Sequence, residues 1–203
     1  MNLYLSHQRF FTMRLYTYSL LLTTAVHAVL VPRPYGDYDV AVKHMEVIET
    51  GVTDLLSPES NATRHTMISA YMPIDRRFSC RSQVVPYMPP LTASVMGQVG
   101  ESLGLPAGIL EEFDMEFCDP ETIPTQHNNH KTAKKFPVLM YSPGFAGSRF
   151  IYGALARSLS SLGYVVLTVD HPYEAYVVEF PDGTIAYPSS DEEITIPQFE
   201  VSP

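Results

Sequence analysis

The most constraining stretch runs from Phe136 to His171, where the hydrophobic period changes twice. Phe136-Pro137 leads into Val138-Leu139-Met140-Tyr141, a continuous apolar run of strand length. Ser142-Pro143-Gly144-Phe145-Ala146-Gly147 reads as a loop. Ser148 can cap a helix running to Leu162, because Ile151, Leu155, Leu159 and Leu162 share one helical face. Gly163 supplies the helix stop. Tyr164–Val169 is a second strand, ending in Asp170-His171-Pro172. Strand, helix and strand in this order make two parallel strands joined by a right-handed crossover, so the fold class is α/β.

A chain of 203 residues is sized for one domain and can bury about 70% of its unfolded surface. It is 45% hydrophobic and 17% charged, which excludes a wholly disordered chain. The net charge is −9, and the basic residues cluster only as Arg76/Arg77/Arg81 and Lys131/Lys134/Lys135. Two such groups make no phosphate track, so no nucleic-acid partner is expected.

Residues 1–28 carry Arg9 and Arg14 and no acid, then the apolar stretch Leu15–Val26, then Val26-His27-Ala28. A charged start, a short apolar middle and a small-residue end predict a signal peptide cleaved after Ala28 and a secreted protein. The apolar run is too short for a transmembrane span. In an oxidising compartment Cys80 and Cys118, the only two cysteines, are expected to form a disulfide. The chain-entropy model values that closure at roughly 4 kcal/mol. No metal site is expected from them. His127 and His130 read as solvated loop residues. Asn61-Ala62-Thr63 is an N-glycosylation sequon, placing Asn61 on an exposed turn.

Residues 29–44 read as a linker. Residues 45–54 and 65–72 read as strands of a hairpin with Asn61 near its tip. Residues 73–135 read as irregular. They hold a helix at Leu91–Leu103, with Pro90 in its first turn and Gly104 past its end. Leu110, Phe113 and Phe117 suggest further helical turns before Cys118. Ala175–Phe180 and Thr184–Tyr187 flank Pro181-Asp182-Gly183 as a second hairpin. The acidic end, residues 188–203, reads as disordered.

Chemistry is expected at the loop after the first parallel strand, since ligands in open α/β sheets sit beyond the carboxyl ends of strands. Gly144 lets the backbone approach a ligand, and the Phe145 N–H near a helix start suits a developing negative charge. The run from Phe136 to Arg149, Leu162-Gly163-Tyr164-Val165-Val166 and Asp170-His171 together resemble the secreted platelet-activating-factor acetylhydrolase family, particularly its fungal esterase relatives. Thr50-Gly51-Val52-Thr53-Asp54 and Ala70-Tyr71-Met72-Pro73 resemble that family's first two strands. The resemblance covers residues 45–187. It implies a partial α/β-hydrolase fold, made of an N-terminal hairpin plus the strand–helix–strand unit. It implies ester hydrolysis on an acetyl or short-acyl phospholipid, contact with a lipid surface, and no cofactor.

Gly144 and Phe145 would be the oxyanion loop. The family usually has His before the loop glycine, and Pro143 stands here instead. The family's nucleophile elbow, Gly-x-Ser-x-Gly, comes after Asp170-His171, and no such motif follows Gly147 in this sequence. The expectation is an esterase portion preceding the Ser-His-Asp triad, which alone turns over no ester. The alternative is an inactive secreted fragment or a lipid- or partner-binding remnant. Gly100-Glu101-Ser102-Leu103-Gly104 does match the elbow, but Pro106 and Gly108 spoil the helix an elbow needs. Ser102 therefore reads as the end of a short helix, and His171 as structural or pocket-lining.

Overall fold

A computed structural model describes residues 28–122 and 134–188. The expected signal peptide up to His27, the segment holding His127 and His130, and the acidic end from Ser189 lie outside the described residues. Among the described residues, no helix is long and apolar enough to cross a membrane.

The chain enters the sheet earlier than the sequence suggests. Val29–Leu30 (β1) is a short strand, and Tyr38–Thr53 (β2) begins inside the segment read as linker. Two features explain the difference. Val40, Ala41 and Val42 are a buried apolar triplet hidden behind a Pro- and Gly-bearing bend. Gly36 in that bend is a packing glycine, because a Cβ there would lie 2.0 Å from the Ser161 carbonyl oxygen. β2 pairs antiparallel with Thr63–Asp75 (β3), so the expected hairpin forms and extends at both ends. Asn61 is exposed in its connection, in the left-handed region at φ 64°.

The stretch from 73 to 122 contains more regular structure than its prolines suggest. Ser82–Pro86 (β4) and Phe113–Cys118 (β5) pair antiparallel, on either side of a helix at Pro90–Ser102 (α1). The expected helical turns before Cys118 are thus corrected. Leu110 lies in a short 3-10 turn, but Met115 and Phe117 are buried on the two-residue period of a strand. Cys80 and Cys118 are bridged, with Cα atoms 5.5 Å apart. The bond ties the chain entering β4 to the end of β5.

Val138–Tyr141 (β6), Gly153–Ser161 (α2) and Val165–Val169 (β7) form the parallel unit, with Val138 opposite Val165 and Tyr141 opposite Thr168. β7 runs antiparallel to β3. The sheet order is β1-β5-β2-β3-β7-β6, with β4 on the other side of β5. Val178–Glu179 (β8) and Ile185–Ala186 (β9) form the expected hairpin around Asp182-Gly183, where the Asp182 carboxylate accepts from the Thr184 N–H at 2.9 Å.

α2 covers the main core of Val40, Val42, Tyr71, Met115, Phe117, Ala156 and Val166. The face it buries differs from the leucine stripe. Gly153, Ala156, Arg157, Ser160 and Ser161 point inward, while Leu155 and Leu162 are 49% and 63% exposed. Small residues suit the close approach to the sheet, and buried Arg157 donates to the carbonyls of Glu116, Val31 and Pro32. The stripe turns instead toward β6, where Leu139, Met140, Tyr152, Leu155 and Leu159 line an apolar groove of about 220 Å³. β6 is the sheet's edge, with Val138 and Met140 61% and 72% exposed.

Candidate active site

The site lies where β6 and β7 end side by side. The loop Ser142–Gly147 leaves β6 and folds on itself, the Gly147 N–H donating to the Gly144 carbonyl at 2.9 Å. A Cβ on Gly147 would meet that oxygen and the Pro143 ring, both at 2.9 Å, so the turn requires glycine. Gly144 is the opposite case. A Cβ there would meet nothing within 4 Å, which leaves open space above the loop.

Ala146, at φ 64°, bridges to Ala175, and its carbonyl accepts from the Tyr176 N–H at 3.3 Å. The loop is thereby clamped to the chain leaving β7. Between these anchors the Phe145 side chain is 75% exposed, and no hydrogen-bond acceptor pairs with its N–H among the described residues. A fixed backbone donor without a protein acceptor is what an oxyanion requires.

The helix start expected beside Phe145 is displaced. Ser148 makes a turn, its carbonyl accepting from Ile151 N–H at 3.0 Å and its Oγ from Phe150 N–H at 3.3 Å, and α2 proper begins at Gly153. The reason is Arg149, whose N–H donates to the Asp170 carboxylate at 2.5 Å. Its guanidinium pairs with the other oxygen of Asp170, and both residues are almost fully buried. Removal from water raises the Asp170 pKa, and the Arg149 cation opposes that rise. Because Asp170 ends β7 and Arg149 follows the loop, this ion pair fixes the loop against the sheet.

The network continues through buried Ser69 to His44 at the surface. Arg149 Nε donates to Ser69 Oγ at 3.1 Å, and Ser69 Oγ lies 2.8 Å from His44 Nδ1. Partial burial, reinforced by the Arg149 cation, pushes the His44 pKa down to about 4. The unfolded chain takes up this proton near pH ~6.5 and the folded chain resists until about 4. The His44 contribution is therefore whole above pH ~6.5 and is lost as pH falls toward 4. Urea midpoints taken between pH 7 and 4 should fall with pH, and His44→Gln should flatten that slope. An unchanged slope would place the acid sensitivity elsewhere.

His171, exposed at the end of β7, has its Nε2 2.6 Å from Ser142 Oγ at the end of β6. Sequence reasoning missed this pair. Ser102 sits far from such an arrangement: it closes α1, its hydroxyl donating to the Val99 carbonyl at 2.7 Å. The Gly104 and Leu105 N–H groups bond back to Glu101 and Gly100, a helix C-cap rather than an elbow.

A larger cavity of about 560 Å³ lies where β2 begins and β3 ends, lined by Arg33, Tyr38, Arg76, Glu116 and the disulfide. It is remote from the loop. Asp39 and the two cysteine sulfurs cluster there, but the bridged sulfurs are not available as thiolate ligands.

Residues 24–195 match the family described as platelet-activating factor acetylhydrolase, isoform II. A probable 1-alkyl-2-acetylglycerophosphocholine esterase of Arthroderma benhamiae is 29% identical over 159 residues, covering 77% of this chain and 40% of the relative. The structure of a ferulic acid esterase from Streptomyces cinnamoneus superposes with a TM-score of 0.56 at 27% identity, covering 78% of this chain and 40% of that one. The chain thus spans about 40% of the length of both proteins.

Proposed function

The chain belongs to the platelet-activating factor acetylhydrolase isoform II family, and from that premise we propose that it carries the oxyanion half of a secreted serine ester hydrolase acting on acetyl or short-acyl phospholipid esters. The observation that carries this reading is the Phe145 N–H. Among the described residues it has no acceptor, and the loop carrying it is fixed by the Gly147–Gly144 turn, the Ala146–Ala175 bridge and the Arg149–Asp170 ion pair. In the proposed reaction a serine attacks the ester carbonyl, and the developing oxyanion is held by the Phe145 N–H and the N–H following that serine. The open space at Gly144 leaves room for the acyl group beside that donor.

On this reading the serine, acid and base come from a part of the relatives' length that this chain does not span. The apolar edge of β6 and the leucine-lined groove beside it favour continuation of the sheet there, since an exposed apolar edge strand is otherwise a site of aggregation. The signal pattern ending at Ala28, the disulfide and the exposed sequon at Asn61 support secretion with a glycan at the β2–β3 tip.

The test is a transcript that continues past Pro203 into a Gly-x-Ser-x-Gly motif. Its product should release acetate from an acetyl glycerophosphocholine faster than it cleaves the long-chain analogue. No release, or preference for a feruloyl ester, would refute the substrate assignment.

A further inference from the structure

We propose that Ser142 and His171 form a second, self-contained nucleophilic site, reactive toward activated esters and phosphonofluoridates. The inference is independent of the proposed phospholipid esterase reaction, which uses a serine elsewhere. Ser142 Oγ and His171 Nε2 are 2.6 Å apart, the reach needed for a base to take a hydroxyl proton. Both side chains are exposed, so a reagent can approach. They stand at the carboxyl ends of neighbouring parallel strands, where α/β sheets place their ligands. The unpaired Phe145 N–H lies three residues along the same loop.

With an activated ester, Ser142 Oγ attacks the carbonyl carbon while His171 Nε2 takes the hydroxyl proton. The intermediate collapses with loss of the alkoxide or phenoxide, which receives that proton. The product is an acyl ester on Ser142. With a phosphonofluoridate, the Ser142 O–P bond forms, the P–F bond breaks, fluoride leaves and His171 keeps the proton. The phosphonyl adduct is stable and can be located directly.

The pair lacks the third member of a triad. Among the described residues no acceptor pairs with His171 Nδ1, so nothing fixes the tautomer or orients the ring. Losing the orienting carboxylate of a triad lowers the rate by about 10⁴. Slow stoichiometric labelling is expected, without measurable turnover.

The experiment incubates the purified folded chain with a fluorophosphonate and maps the adduct by peptide mass. A single adduct on Ser142 is expected. His171→Gln should slow its formation by about 10²-fold or more, the contribution of a general base, with circular dichroism confirming an unchanged fold. No adduct, an adduct on Ser102 or another residue, or a rate unaffected by His171→Gln would overturn the proposal. Because the readout is the labelled peptide of this chain, it stands or falls separately from acetate release by a longer product.

Discussion

Asp170→Leu should destabilise the protein by about 3–5 kcal/mol, because it strands the Arg149 guanidinium without its counter-charge in a buried position. Arg149 is 4% exposed and Asp170 1%, so water cannot replace the lost partner. For a domain of this size the melting temperature should fall by roughly 6–20 °C. The cost comes from the unpaired charge rather than from any large net gain of the pair. Adding Arg149→Met to Asp170→Leu should therefore recover at least ~2 kcal/mol, since a buried pair replaced by apolar residues is often near neutral. Part of the loss should remain, because the Arg149 N–H also gives up its acceptor. Thermal or urea unfolding of the two variants decides this. A double variant no more stable than the single one would show that the charge pair is not what holds the loop to β7.

The fold was legible wherever local pattern and tertiary environment agree. The unit from β6 to β7 follows from two apolar runs, a helical period and Gly163. The β8–β9 hairpin follows from Asp182-Gly183. Reading failed where packing overrides pattern. Phe113 and Phe117 are four apart, which suits a helix, but Met115 between them is as buried as Phe117, and a strand puts all three on one face by side-chain alternation. The leucines of α2 suggest its inner face, yet the sheet takes Ala156 and Ser160, because small side chains let helix and sheet backbones close up. Val138–Tyr141 has the composition of a buried strand and occupies an edge.

The site was legible in part. Gly144 and Phe145 are marked by the glycine loop after a strand, and among the described residues the Phe145 N–H has no acceptor. The partners that fix the loop were not legible. Arg149 and Asp170 are 21 residues apart and Ser142 and His171 are 29 apart, and neither spacing is a local periodicity. A signal for the first pair was present: an arginine set directly after a glycine loop, and an aspartate closing an apolar strand, are charges that burial would force together. Ser142 offered no such signal, because an exposed serine before a proline is an ordinary turn residue.

The Phe145 backbone donor is the centre of this account, and two substitutions at one position separate it from its side chain. In a catalytically complete product carrying this loop, Phe145→Pro removes the N–H and Phe145→Ala keeps it. Loss of one oxyanion donor costs about 10²–10³ in kcat. The measurement is kcat for an acetyl ester in both variants, with circular dichroism confirming the fold. The account predicts that Phe145→Pro loses about 10²–10³-fold in kcat, while Phe145→Ala keeps kcat within a few-fold and raises KM as the exposed ring is lost. Equal kcat values for the two variants would contradict the assignment of Phe145 to the oxyanion hole.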